Sequence, residues 1–272
     1  MGLTTALGLK RGLRNALGLR KKKHDKKTTS SILRQSLTLP APVRVLYKTY
    51  PSLEVVDNQL RIEGREDVLR LAPKGGIGVE LGVFTGRFSE VLVRATVPKK
   101  LFLVDGWSKI YGSQFPDWGS YTDYGRLSTE AALKLVSARA QLLGGDIEIV
   151  EETSTAWLAG QAEQSLDWAY LDTSHAYADT LRELTLLKKA LKPNGVILGD
   201  DCRIDPQHRH HGVFMAIRDF CQGHSYEIIH MDTCGQWAIR RSTTFSGENN
   251  TAKKACESSH VATHEGRKTE QN

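Results

Sequence analysis

The stretch AYLDTSHAYADTLRELTLLKKALKPNGVILGDD, residues 169–201, decides the fold. An apolar run ends in Asp172, a helical pattern follows from about Ala178 to Leu191, and a second apolar run, GVILGDD, ends in Asp200 and Asp201 after the turn residues Pro193, Asn194 and Gly195. Short apolar runs bounded by turn residues read as buried strands, and the periodic segment between them reads as the crossover helix of a parallel pair. The same unit recurs upstream: IGVEL precedes a helix near Phe88–Ala95, LFLVD one near Thr129–Leu143, and IEIV one near Ala156–Gln164. Strand and helix in alternation predict an α/β fold with a mostly parallel sheet covered on both faces. Beyond GVILGDD, a helix near Val213–Phe220 leads to YEIIHM and QWAIR, which DTCG separates; these predict an antiparallel hairpin at one sheet edge.

The 272 residues, 40% hydrophobic, suffice for one sizeable core with tails and argue against a second full domain. No stretch approaches the roughly 18 apolar residues of a membrane span, and the opening lacks the apolar core of a secretory signal. Four cysteines, Cys202, Cys221, Cys234 and Cys256, lack metal-ligand spacing and predict reduced thiols in a cytoplasm. Of the formal charge of +6, Met1–Lys27 supplies nine Lys or Arg against the single Asp25, so the remainder sums to −2. That balance argues against a nucleic-acid groove on the folded domain and confines any attraction to phosphate or lipid to the arm.

Three segments result: a basic arm at 1–40, a domain at 41–242 and a polar tail at 243–272. The arm repeats ALGLK as ALGLR, and Gly8, Gly12 and Gly18 each weaken a helix, so it reads as a disordered arm. Weak contact of residues 1–30 with an anionic membrane, peripheral to a cytoplasmic protein, and an organellar transit peptide are the other readings. Ala6 stands where a myristoylation signal wants Ser or Thr. The tail has almost no large apolar residue and reads as disordered.

In an open α/β sheet, ligands collect at the carboxyl ends of the strands. VELGVFTGRFS places Glu80, Gly82 and Gly86 at a strand-to-helix turn, where glycines either admit a ligand to the backbone or serve close helix packing. The spacing lacks the G-x-G-x-x-G of a pyrophosphate site. LFLVDGW ends in Asp105, placed to accept from ribose hydroxyls or to cap a turn, and in EETSTAW Ser154 faces an adenine edge or caps the next helix. Asp172 and His175 are catalytic equipment or the polar start of a helix; the acids at the next strand end favour catalysis.

Through VELGVFTG, LFLVDGW and the seven-run pattern, the chain from about Gly76 to Arg241 resembles the class I S-adenosylmethionine-dependent methyltransferases. The 169–201 stretch resembles their macrocin O-methyltransferase-like branch, whose fourth strand ends in Ile-Asp-Gly-x-His-x-Tyr and whose fifth ends in an acidic pair. The resemblance implies a Rossmann-like doubly wound sheet of seven strands and S-adenosylmethionine at Glu80, Gly82, Gly86, Asp105 and Ser154. It also implies Mg²⁺ at Asp172, Asp200 and Asp201, with His175 as general base toward a hydroxyl of a small molecule or glycan. Thr173 and Asn194 depart from the branch, each replacing a usual glycine. Three converging carboxylates repel one another, a hard cation relieves them, and a hydroxyl needs help to lose its proton. The rivals are metal-independent transfer, including transfer to nitrogen, and a non-catalytic nucleoside-binding module tethered by the arm.

Two further segments bear on the acceptor. WSKIYGSQFPDWGSYTDYG, after the second strand, is dense in aromatics and reads as a lid for an acceptor with a ring or sugar face, or as a packed surface loop. DPQHRHHG offers His208, Arg209, His210 and His211 as a solvated loop, a substrate-contacting edge or a transition-metal site.

Overall fold

The computed structural model describes residues 39–242. The expectations for the arm, the tail and Cys256 lie outside the described residues. Seven strands form one sheet in the order β3-β2-β1-β4-β5-β7-β6. They are β1 (Ile77–Leu81), β2 (Lys100–Asp105), β3 (Ile147–Glu151), β4 (Leu166–Leu171), β5 (Leu191–Gly199), β6 (Tyr226–Met231) and β7 (Trp237–Arg241). The first five run parallel, while β7 lies antiparallel to both β5 and β6. The hairpin therefore forms as expected, with β7 inserted beside β5 and β6 left as the edge.

Strand residues alternate between two cores, as the two-residue period of a strand requires. Leu101, Leu103, Trp168, Tyr170, Val196 and Leu198 join one core. Val79, Leu81, Val104, Ala169, Leu171 and Ile197 join the other. The first core is covered by α1 (Ala41–Thr49), α2 (Pro51–Asp57), α3 (Ser89–Thr96) and α5 (Thr129–Leu143) through Val43, Leu53, Leu92 and Leu135. The second is covered by α6 (Ser154–Ala159), α7 (Tyr177–Ala190) and α8 (His211–Gly223) through Leu158, Leu184 and Ile217. The sheet is thus wound on both faces. Among the described residues, no helix is long and apolar enough to cross a membrane.

The structure departs from expectation at local points. α1, α2, a 3₁₀ turn at Asp67–Leu71 and α4 (Trp107–Tyr111) were not foreseen, being too short to show a period. α6 stops at Ala159 with Gly160 at its C-cap, well before Gln164. β5 starts at Leu191, so Pro193-Asn194-Gly195 lies within the strand, and its pairing with β4 shifts between Leu166 and Trp168.

Register positions the site. Leu81 pairs with Val104 and with Leu171, and Leu171 pairs with Gly199. The residues that follow each strand, Gly82, Asp172 and Asp200, together with Asp105 at the end of β2, therefore stand side by side along one end of the sheet.

Candidate active site

A cavity of about 1030 Å³ opens at these strand ends, bounded by Glu80, Gly82, Asp105, Ser154, Asp172, His175, Asp200 and Asp201 among others. That volume lies at the upper end for one small ligand, enough for a cofactor and part of an acceptor. Of the residues anticipated for cofactor, metal and catalysis, only Gly86 stays outside the lining; its φ of +73° and its approach to Val136 of α5 make it a packing glycine.

Gly82 turns the chain at a φ of +88°, and a Cβ there would stand 1.9 Å from the Asp172 carbonyl oxygen. Only glycine lets the turn after β1 lie against the loop after β4. Glu80 is buried beneath that turn and accepts a hydrogen bond from Ser89 Oγ. Burial pushes its carboxyl up to about 8, against the opposing effect of Ser89 and Arg65. Asp105 Oδ2 accepts from the turn amides of Val83 (2.9 Å) and Phe84 (2.8 Å), which leaves Oδ1 with a longer 3.3 Å contact from Trp107 N. The acid proposed for ribose thus also braces the glycine turn. Burial raises the Asp105 carboxyl in spite of these donors.

At the start of α6 it is Thr153, not Ser154, that caps the helix, accepting from Ala156 N at 3.2 Å. Ser154 Oγ instead donates to Glu183. Thr173 Oγ1 donates to the same carboxylate at 2.8 Å, so the residue that replaces a glycine of the branch has a partner of its own. Burial lifts Glu183 to about 7, with Ser154 and Thr173 pulling the other way.

The loop after β4 answers the helix-cap question. α7 starts at Tyr177 behind Ala176, which makes no side-chain cap, and Asp172 faces the cavity instead. His175 Nε2 lies 3.0 Å from Asp172 Oδ1 and 3.5 Å from Asp201 Oδ2. Both His175 (φ 59°) and Asp201 (φ 58°) adopt left-handed backbone, which side chains other than glycine occupy at a cost and which clusters at functional sites. Burial works to lower the His175 imidazole, yet the hydrogen bond and charge of Asp172, with Asp201 and Asp200, carry it above its ordinary value. The rings of His175 and His210 lie 4.6 Å apart, and His210 Nδ1 stands 3.0 Å from Asp201 Oδ2. DPQHRHHG is therefore an edge of the cavity, through His208, Arg209 and His210, while His211 Nδ1 sits 2.9 Å from the Arg203 carbonyl.

The aromatic segment after β2 walls the same cavity through Tyr111, Phe115, Trp118 and Tyr121. Phe84 stacks on Tyr121 at 4.8 Å and meets Phe115 edge-on at 5.0 Å, which ties the wall to the glycine turn.

A doubly wound sheet with this strand order, and a cavity edged by an acid at the ends of β1, β2, β4 and β5, agree with the class I S-adenosylmethionine-dependent methyltransferase fold. Residues 77–202 match the family model described as a methyltransferase domain, from the first residue of β1 through the acidic pair after β5. That segment is a class I methyltransferase domain, and the protein is an S-adenosylmethionine-dependent methyltransferase. No curated protein matches the chain. A structural-genomics protein from Corynebacterium glutamicum shares the fold at 10% identity and a TM-score of 0.51, over 81% of this chain and 99% of that one. A candidate methyltransferase from Streptococcus mutans, in complex with SAH, aligns at 14% identity, over 66% and 96% of the two chains, with a TM-score of 0.43. Spermidine synthase from Thermotoga maritima aligns at 16%, over 63% and 54%, with a TM-score of 0.39.

The Mg²⁺ implied by the resemblance needs Asp172, Asp200 and Asp201 to turn oxygens toward one point. The residues do not fit that arrangement. The guanidinium of Arg65 stands between the first two, with Nη2 2.5 Å from Asp172 Oδ2 and Nε 3.1 Å from Asp200 Oδ2. Asp200 Oδ1 is taken by Gln236 Nε2 at 2.5 Å and by the Asp201 amide at 2.7 Å. Among the described residues, the one set of potential ligand atoms that gathers within 4.8 Å is His175, Asp201 and His210, with two imidazoles and a single carboxylate. Arg65 and Arg61 also line the cavity and were missed in the sequence, because no strand-end or motif signal marks the segment that carries them.

Proposed function

We propose that the protein transfers a methyl group from S-adenosylmethionine to a hydroxyl oxygen of a small-molecule or glycan acceptor, with His175 as the general base. The observation that carries this reading is the His175–Asp172 contact of 3.0 Å at the cavity wall, held in strained backbone beside the strand ends. S-adenosylmethionine, when bound, supplies a methyl carbon on a sulfonium that departs as a neutral thioether. Glu80, Gly82, Asp105 and Ser154 hold it along the ends of β1 to β3, Asp105 through the oxygen that the turn leaves lightly engaged. His175 takes the hydroxyl proton as the oxygen attacks, and Asp172 fixes the ring and stabilises the imidazolium that results. The aromatic wall of Tyr111, Trp118 and Tyr121 orients an acceptor with a ring or sugar face and excludes water.

Calorimetric titration of S-adenosylmethionine into the purified chain tests the cofactor half of the reading, with saturable micromolar binding expected. A screen of hydroxylated ring compounds for methyl transfer, repeated with His175→Ala, tests the other half. Absence of cofactor binding, or unchanged turnover in His175→Ala, overturns it.

A further inference from the structure

Each carboxylate at the ends of β4 and β5 already has a counter-charge, and in every case it is an arginine. Arg65 faces Asp172 and Asp200, Arg61 Nη2 lies 3.4 Å from Asp200 Oδ1, and Arg203 Nη2 lies 3.3 Å from Asp201 Oδ1. The like-charge repulsion that would draw in a divalent ion is therefore compensated within the chain. Arg61 and Arg65 come from the segment before β1, outside the 77–202 match.

The Arg65 seat is built for a guanidinium. Its side chain is 11% exposed. Its guanidinium carbon lies 4.1 Å from the centre of the Phe88 ring, and Nη2 also donates to the Tyr170 hydroxyl at 3.1 Å. Tyr170 passes the chain on to Gln236 Oε1 at 2.8 Å, and Gln236 Nε2 returns to Asp200. Gly64, at a φ of +82°, would place a Cβ 3.2 Å from Cys234 Sγ, so the residue before Arg65 packs tightly against the turn between β6 and β7. Burying a cation is tolerable only with such pairing, and the planar fork of arginine meets two carboxylates where a lysine would meet one.

We propose that Arg65 is the resident cation of this site, occupying the place that the macrocin-type resemblance gives to Mg²⁺, so that the enzyme binds no divalent ion at Asp172, Asp200 and Asp201 and works without one. Arg65 acts as a positioning residue: it fixes Asp172 Oδ2 and thereby presents Asp172 Oδ1 to His175. A guanidinium offers no open coordination position and does not release its proton, so deprotonation of the acceptor rests on His175. Only that last consequence depends on the proposed hydroxyl transfer.

The test is a titration of the full-length protein with Mn²⁺, followed by electron paramagnetic resonance, which needs neither acceptor nor turnover. Mn²⁺ is chosen because carboxylate sites that take Mg²⁺ also take it. Wild type is expected to leave the free-ion signal intact. Arg65→Gln is expected to take up one equivalent with affinity raised about tenfold or more, Arg65→Lys less, and Arg65→Gln/Asp200→Asn to lose it again. One equivalent bound by wild type and abolished by Asp200→Asn overturns the proposal, as does a folded Arg65→Gln protein that gains no site. If Arg65→Gln does not fold, the wild-type and Asp200→Asn titrations decide alone. Calorimetry of S-adenosylmethionine binding in EDTA reads the methyltransferase assignment separately, and lost binding there leaves the Mn²⁺ result interpretable.

Discussion

His175 combines three properties that a buried structural histidine has no need of: left-handed backbone, a carboxylate on Nε2 and a place in the cavity wall. The base role proposed for it requires the neutral ring. Because its folded-state pKa lies above the ordinary value of about 6.5, the rate of methyl transfer should climb as pH rises through that elevated value and level off above it. Substitution of Asp172 by Asn removes the partner that raises the imidazole, so the rising limb should move to lower pH while the plateau falls. His175→Gln should cost about 10²–10⁴ in turnover and leave cofactor affinity unchanged. A pH–rate profile of the three proteins on one acceptor checks both points, and a limb that stays in place in Asp172→Asn would separate His175 from the chemistry.

Among elements, the pieces ahead of β1 tie the glycine turn to the helical layer. Asp57, at the end of α2, accepts from the Tyr47 hydroxyl of α1 (2.5 Å), from Thr85 Oγ1 in the turn (2.7 Å) and from Arg139 of α5. Arg139 in turn reaches the Thr85 carbonyl at 2.6 Å and Glu90 of α3 at 2.9 Å. Both members of the Arg139–Asp57 pair are buried, so removing one strands the other. Arg139→Met should lower stability by about 3–5 kcal/mol in denaturant unfolding, and a loss under about 1 kcal/mol would show the network to be dispensable. None of this was legible in the sequence. The strands, the crossover helices and the acids at their ends were readable because apolar runs and helical periods are local. α1 and α2 span 9 and 7 residues, too short for a period to stand out, and their polar partners lie in other elements. Ser154 and Thr153 show the same limit at finer scale: either could cap α6, and only the position of Glu183 on α7 settles which hydroxyl is drawn away.

At the scale of the molecule, the site was legible as a list of acids but not as a charge balance. Arg65 meets Asp172 across 107 positions and Arg61 meets Asp200 across 139, so the reading of three carboxylates awaiting a cation followed from seeing only one side of the pairs. Net charge, by contrast, depends on composition alone and divides the chain cleanly: the nine Lys or Arg of Met1–Lys27 face a remainder of −2. With Arg61, Arg65 and Arg203 of the cavity already paired to its aspartates, we propose that any contact with an anionic bilayer falls to the arm. Basic residues near such a surface each contribute about 1 kcal/mol and act within a Debye length of about 8 Å at physiological salt. Cosedimentation with phosphatidylserine-containing vesicles should therefore be measurable at low salt and collapse as salt rises. Deletion of residues 1–30 should abolish it while S-adenosylmethionine titrates into the shortened protein as before, since among the described residues none that lines the cavity precedes Leu60. Vesicle binding that survives the deletion would place the lipid-facing charge on the body and overturn the proposed role of the arm.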